Sequence, residues 1–378
     1  MRIAIPKETS LNETRVAATP ETVRKLMALG AALVVQSGAG EASGIPDAEY
    51  EAAGASLAQG GDVFAGADVI LAVRRPAASA LAQAQPGVAI LSIMDPYGAE
   101  ADLAALGQTG ARAFAMEFMP RITRAQSMDV LSSQANIAGY RAVIDGAAEY
   151  GRAMPMMMTA AGTIPAARVF IMGVGVAGLQ AIATARRMGA LVTATDVRPA
   201  TKEQVESLGA KFLAVEDEEF AQAQTAGGYA KEMSKDYQAK QAALTAAHIA
   251  KQDIVITTAL IPGRPAPKLI SADMVASMRP GSVIVDLAVE RGGNCEMAKP
   301  GETFITSNGV KIIGHMNMPG RLAATSSSLY ARNLYAFFET LVNKESKTFS
   351  PNWDDELVKA TLLTRDGGVV HPNFQPKA

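Results

Sequence analysis

A chain of 378 residues has room for two or three domains. Its 35 Lys+Arg and 37 Asp+Glu leave a formal net charge of −2, without the basic excess that general nucleic-acid or anionic-membrane binding demands. With 49% hydrophobic and 19% charged residues it can bury a large core, and a single cysteine, Cys295, excludes an intrachain disulfide framework and a multi-cysteine metal site.

The chain opens MRIAIPKETS, charged at Arg2, Lys7 and Glu8 and without an apolar core, so no secretory signal is expected. No apolar run approaches the ~18–20 residues that span a bilayer. A reducing compartment is expected. In chain order, short apolar runs rich in β-branched residues alternate with Ala/Leu-rich amphipathic stretches. Strands are expected at Arg2–Ile5, Ala32–Val35, Val69–Val73, Val88–Ile93 and Ala113–Met116, then at Val169–Met172, Leu191–Thr195, Ile254–Thr257, Val283–Leu287 and Ile312–Ile313. Helices are expected at Pro20–Leu29 (with Thr19 as N-cap and proline at the first helical position), Ala99–Leu106, Leu179–Met188 and Lys202–Leu208. The alternation predicts an α/β fold with largely parallel, buried sheets.

The strands form two blocks separated by a stretch from Ala125 to Tyr150 that reads as one continuous helix. A second helical stretch, Leu329–Val342, follows the second block and returns the chain to the first. The expected organisation is two Rossmann-like parallel-sheet domains joined by long helices. The first, discontinuous, comprises residues 1–131 and 321–378; the second comprises 132–320.

The strongest motif is Val169-Phe-Ile-Met-Gly-Val-Gly-Val-Ala-Gly178, a strand running into G-x-G-x-x-G. Gly173 permits the tight turn, Gly175 lets the backbone approach a pyrophosphate, and Gly178 allows close helix–strand packing. The helix that follows aims its amides at the phosphates, with Val176 N–H as a contact. The next strand ends in Asp196, 18 positions beyond Gly178, where a carboxylate accepts hydrogen bonds from ribose hydroxyls and repels a 2′-phosphate. The competing reading of Asp196 is a cap on the following turn. Leu260, after the strand at Ile254, is a candidate wall of the same cleft. Asp286 and Glu290 either face that cleft or pair with a neighbouring Arg or Lys.

On the linking helix, Gln126, Asp129, Ser132 or Ser133, and Asn136 share one face, while Met128, Leu131 and Ala135 populate another. A face of uncharged hydrogen-bonding groups, with Arg121 and Arg124 just ahead, suits a nicotinamide amide and its ribose. A capped helix start facing water is the alternative. Glu216–Gln241 combines Gly227-Gly228-Tyr229 with dense charge and reads as a mobile surface segment, either a lid with Tyr229 at its tip or a plain solvated loop.

Several segments resemble one family. These are Ile3-Ala-Ile-Pro-Lys-Glu8 with Glu13-Thr-Arg-Val-Ala17, Met119-Pro-Arg-Ile-Thr-Arg-Ala-Gln-Ser-Met-Asp129 and the glycine loop. Thr225-Ala-Gly-Gly-Tyr-Ala-Lys-Glu-Met233 and Asp286-Leu-Ala-Val-Glu-Arg-Gly-Gly-Asn-Cys295 complete the set. Together they look like the NAD(H)-binding subunit of proton-translocating NAD(P)+ transhydrogenase, across almost the whole chain. The resemblance implies a dimer with NAD(H) between the domains, NADP(H) on a partner subunit, and a separate membrane-spanning subunit. The chain would then be peripheral, on the cytoplasmic side of the membrane. By the same carry-over Gln126 reaches the partner's nucleotide, and Arg121, Asp129 and Ser132 surround the nicotinamide. Asp196, Val197 and Arg198 meet the adenosine ribose, Gly228 and Tyr229 belong to a mobile loop, and Gln241 and Leu260 also touch nucleotide. No metal is expected.

Alanine dehydrogenases resemble the chain too, sharing the Glu13-Thr-Arg15-Val-Ala opening. Oxidative deamination needs a positioned acid–base pair, which the resemblance assigns to a lysine and a histidine of the first domain. The matching stretches here read Ala72-Val-Arg-Arg-Pro76 and Leu91-Ser-Ile-Met-Asp-Pro96. The only histidines are His248, His315 and His371, so none is expected near that site. An arginine is no base near neutral pH. Transhydrogenation is therefore the expected activity, with an alanine-type dehydrogenase as its rival and a silent NAD(H)-sensing regulator as a rival of another class.

Overall fold

The computed structural model describes residues 1–223 and 233–375. In chain order it runs β1 (Arg2–Ile5), α1 (Pro20–Ala28), β2 (Ala32–Gln36), α2 (Asp47–Ala52), β3 (Ser56–Ala58), β4 (Val69–Arg74), β5 (Ala89–Ile93), α3 (Glu100–Gln108) and β6 (Arg112–Ala115). After α4 (Val130–Glu149) come β7 (Met157–Thr159), β8 (Gly162–Ile164), β9 (Arg168–Met172), α5 (Val176–Arg187), β10 (Leu191–Thr195), α6 (Thr201–Ser207), β11 (Lys211–Phe212) and α7 (Glu218–Ala221). Then follow α8 (Lys235–Ile249), β12 (Ile254–Thr257), α9 (Ala272–Ser277), β13 (Val283–Asp286), β14 (Thr303–Ile305) and β15 (Lys311–Ile313). The chain closes with α10 (Ala323–Thr340), β16 (Val342–Asn343), β17 (Thr348–Phe349), α11 (Glu356–Thr361), β18 (Leu362–Arg365) and β19 (Gly368–Val369).

Two compact units result, Met1–Gln134 with Pro319–Ala378, and Ala135–Met318. The first holds a sheet of order β19-β18-β6-β5-β4-β1-β2-β3, parallel from β3 to β6. Both faces are buried by alternation: Ile3, Ile5, Val69 and Leu71 serve one core, Ala4, Ile70 and Ala72 the other. The C-terminal strands β18 and β19 extend this sheet antiparallel to β6.

The second unit has the order β11-β10-β9-β12-β13-β15-β14, parallel except at β14. Val169 and Ile171 face one core, Phe170 and Met172 the other. Sequence order reverses direction between β9 and β12, and register brings Met172, Thr195 and Thr257 level at the carboxyl ends. Such a switch point opens a crevice above the sheet, where open α/β folds bind ligands.

Three expectations need correction. The helix expected from Ala125 starts only at Val130; Thr123–Met128 is a 3-10 turn and Asp129 is extended at ψ 93°. Asp129 caps the helix instead of continuing it. Its Oδ1 accepts from Ser132 N at 2.9 Å and its Oδ2 from Ser132 Oγ at 2.5 Å. The Glu216–Gln241 segment is helical at both flanks, α7 and the start of α8, where Phe220 and Tyr237 pack together; Tyr229 and Gly228 lie outside the described residues. Finally, β7 and β8 form an exposed antiparallel hairpin bearing Met157 and Met158, where no strand was expected.

Candidate functional site

The crevice of the second unit is built on Gly173, Gly175 and Gly178. Gly173 leaves β9 with φ 103°, a left-handed conformation that side chains resist, and a Cβ there would lie 2.5 Å from Thr258 Oγ1. A Cβ on Gly178 would come within 1.9 Å of the Gly173 carbonyl oxygen, so α5 can start this close to β9 only with glycine. At Gly175 a Cβ would meet nothing within 4 Å. This residue is the N-cap of α5 and offers no side-chain cap, so the first amides of the helix, from Val176 onward, point into open space. A concave turn of free-facing amides at the positive end of a helix dipole fits a pyrophosphate.

Asp196 follows β10 beside this loop. Its Oδ2 accepts from Val174 N at 2.7 Å, tying the strand end to the glycine turn. Arg198 donates to the same carboxylate from its backbone N, Nε and Nη2, each at 2.9 Å. The carboxylate in turn holds the guanidinium pKa above its ordinary value. The capping and the ribose-facing readings of Asp196 thus coexist: it caps a turn and also stands at the crevice. Gln241, on α8, spans Val215 N (2.9 Å) and Thr195 Oγ1 (3.2 Å) and braces the same edge. Val176, Val197, Leu260 and Ile261 remain substantially exposed around it, Leu260 at 53%. Exposed apolar side chains gathered at strand ends can cover the faces of an aromatic ring.

Two residues missed by sequence reasoning hold this crevice open. Thr258 Oγ1 donates to Gly173 O at 3.0 Å, locking the two loops at the switch point. Fully buried Asn294 accepts from Ala259 N (3.0 Å) and donates to Ala259 O (2.9 Å) and Pro267 O (2.8 Å), fixing the loop that presents Leu260. The only sequence hint was an Asn after paired glycines. Asp286 is internal to the same structure, accepting from Ala288 N and Cys295 N at 2.9 and 2.8 Å, and Glu290 accepts from Asn317 N at 2.7 Å.

In the first unit, Gln126 and Arg121 are exposed on the segment before α4, while Ala125 and Met128 anchor it in the core. Asp129 and Ser132 pair at the helix start. The structure brings Asp129 and Ser132 together, but the break at Asp129 takes Gln126 off the helical face drawn from the sequence. Asn136 lies beyond, bonded to Gln180 at 3.2 Å, and Leu131 is exposed.

The switch point of the first sheet, between β1 and β4, carries charge where the second carries glycine. Glu8 accepts from Val73 N at 2.6 Å and from Arg74 N, and burial pushes its pKa up to about 7. Glu13 is opposite in sign. Burial works to raise it, but the hydrogen bond and charge of Arg15, with Arg74 adding, bring it down to about 2. Arg15 forks onto Glu13 at 2.7 Å, and Arg74 Nε donates to Glu13 at 2.8 Å. Arg75 is held by Met94 O and Asp102, each at 2.7 Å. One histidine reaches this region against expectation. His371 stacks on Phe118, which meets Tyr97 edge-on, yet it is only 9% exposed, its Nδ1 accepts from Asn373 N, and burial lowers its pKa.

Residues 4–138 match the family model "Alanine dehydrogenase/PNT, N-terminal domain", and residues 142–372 match the corresponding C-terminal domain. The chain is 53% identical to an NAD(P) transhydrogenase subunit alpha chain of Rhodospirillum rubrum, covering 98% of both. Among solved structures, a transhydrogenase from Sinorhizobium meliloti is 59% identical with a TM-score of 0.89, covering 98% of this chain and all of that one. An L-alanine dehydrogenase is 26% identical with a TM-score of 0.82, covering 99% and 98%.

Proposed function

This chain belongs to the alanine dehydrogenase/PNT family, and from that premise we propose that it is the NAD(H)-binding peripheral subunit of a Si/Re-specific, proton-translocating NAD(P)+ transhydrogenase. Hydride passes directly between NAD(H) bound here and NADP(H) on a partner subunit, while a membrane-spanning subunit couples the exchange to proton movement. No helix among the described residues is long and apolar enough to cross a membrane, so attachment on the cytoplasmic side falls to those subunits.

The observation that carries the choice within the family is the state of the first unit's switch point. Amino-acid deamination requires a group that takes a proton near neutral pH. Arg74 and Arg75 stand on the stretch where a dehydrogenase would supply it, each held by a carboxylate, and His371 is packed into an aromatic cluster. Exchange between two nicotinamides moves no proton at the reacting carbon. It asks that the reacting carbons be held about 3–3.5 Å apart with water excluded.

Within this reading, Gly173, Gly175, Val176 and Gly178 cradle the pyrophosphate of NAD(H). Asp196, Val197 and Arg198 take the adenosine ribose, with Leu260 and Gln241 at the edges. Arg121, Asp129 and Ser132 orient the nicotinamide, which supplies the hydride, and Gln126 faces the partner's nucleotide. Gly228 and Tyr229 belong to a loop that covers the site. A homodimer completes the assembly, supported by the exposed methionine hairpin β7–β8, an apolar edge unusual on a lone chain.

The test is hydride transfer from NADH to a thio-NADP+ analogue, with and without an NADP(H)-binding transhydrogenase subunit, alongside incubation with NAD+ and L-alanine. Transfer that depends on the added subunit is expected. Steady NADH production from alanine would overturn the proposal in favour of a dehydrogenase, and NADH binding with no transfer would favour a regulator.

A further inference from the structure

The break at Asp129 leaves the segment that carries Gln126 as a short 3-10 turn, a conformation with weak intrinsic hydrogen bonding. One buried side chain spans the break. Asn333 of α10, 7% exposed, donates from Nδ2 to Ser127 O at 2.7 Å and accepts at Oδ1 from Ser133 Oγ at 2.7 Å. Its contacts lie on opposite sides of Asp129, one next to Gln126 and the other next to Ser132.

The chain of bonds continues inward. Gln134 Nε2 donates to Ser133 Oγ (3.3 Å) and Ser326 O (3.2 Å), and Gln134 Oε1 accepts from Arg15 Nη1 at 2.8 Å. Arg15 is clamped in turn on Glu13, in an ion pair whose side chains are 2% and 1% exposed. Around Asn333, helix α10 supplies Tyr330, Leu334 and Phe337 to an apolar core. An amide buried there is costly unless both ends are bonded, and here both are.

We propose that Asn333 is a positioning residue for hydride transfer, the last link of a buried polar chain from Glu13 through Arg15, Gln134 and Ser133 that sets Gln126 relative to Asp129 and Ser132. This rests on the functional reading above. Arg15, Glu13 and their neighbours thereby have work in a chain without amino-acid chemistry: they are the rigid end to which the transfer segment is tied. Asn333 touches no nucleotide, so it acts on rate through geometry.

The experiment compares wild type with Asn333→Asp and Ser133→Ala. Asn333→Asp keeps the acceptor for Ser133 but sets a carboxylate oxygen against the Ser127 carbonyl; Ser133→Ala cuts only the other arm. Each full-length chain is paired with the NADP(H)-binding subunit for kinetics and studied alone by amide hydrogen exchange and thermal melting. For Asn333→Asp, kcat should fall by about tenfold to a hundredfold, as displacement of reacting groups by about 1 Å does, while the NADH Kd stays within about threefold. Exchange at residues 123–134 should rise while β1, β4 and β9 keep their protection, and Ser133→Ala should show a smaller change of the same pattern. An unchanged kcat with unchanged exchange overturns the proposal. So does a loss shared equally by Kd, kcat and melting temperature, which marks a purely structural residue. A wild-type chain that transfers no hydride fails the functional reading instead, and the exchange data still decide whether Asn333 orders the segment.

Discussion

The carbonyl oxygen of Gly173 occupies the space that any side chain at Gly178 would enter, at 1.9 Å from a Cβ placed there. The first and third glycines of the loop are thus one packing unit, whereas Gly175 between them faces open space.

This separates stability from binding. Gly178→Ala must push α5 off β9 and should cost about 1–3 kcal/mol, the usual range for overpacking, with NADH affinity falling as the turn distorts. Gly175→Ala should leave the melting temperature unchanged and weaken NADH binding by roughly tenfold, about 1.4 kcal/mol, because its Cβ intrudes only on a ligand. Melting curves and NADH titration on both variants check the pair. Equal melting losses would contradict the division.

Arg198 covers Asp196 from three donors, so the carboxylate repels a 2′-phosphate only against the neutralising charge beside it. Asp196→Ala should weaken NADH and narrow the preference for NADH over NADPH. Arg198→Ala should widen that preference, since the carboxylate is then bare. Competitive binding of the two nucleotides gives the ratio directly; the same ratio in all three proteins would remove this pair from nucleotide selection.

Gln126 is exposed on its turn, so shortening it by one methylene disturbs no core. Gln126→Asn should lower the transfer rate by at least about tenfold, in keeping with the distance sensitivity of positioned reactions, and change NADH affinity by no more than about twofold. Single-turnover transfer together with equilibrium titration distinguishes this from an ordinary nucleotide ligand, which would lose both alike.

The two buried glutamates of the first unit predict opposite pH dependences. Glu13, lowered to about 2, contributes stability that is present above about 4.5 and lost as pH falls toward 2. Glu8, raised to about 7 by burial, contributes most below about 4.5, and its contribution is lost as pH rises through 7. That loss is at most about 3 kcal/mol on a shift of this size. Glu8→Gln should therefore melt closer to wild type at pH 5 than at pH 8, where the variant gains by roughly 5 °C in a unit of this length. Parallel melting curves across pH 5–8 would contradict the assignment.

Much of the crevice in the second unit was legible because its determinants are local. Strand, three glycines, helix, strand and acid follow one another within Val169–Asp196, and each step has a short-range steric or hydrogen-bonding cause. The first unit was harder to read. Its C-terminal strands pair with β6 across some 250 residues, and β3 and the hairpin are three-residue strands that carry little periodicity. The helical stripe through Gln126 fitted a 3.6-residue period, yet the local competition was won by Asp129, whose side chain bonds Ser132, and by Asn333, 206 residues from Ser127. The same distance hid His371, which reaches Phe118 only once β18 and β19 have closed the sheet.

Sequence alone determined the α/β class, the two blocks of buried parallel strands and the glycine turn, because hydrophobic alternation and the steric freedom of glycine act between near neighbours. Only the tertiary structure decided that Asp196 works in the grip of Arg198, that Glu8 and Glu13 titrate in opposite directions, and that a buried amide sets the segment bearing Gln126. These depend on which groups lose water and which charges meet when distant segments pack, and both free energies exist only in the folded chain.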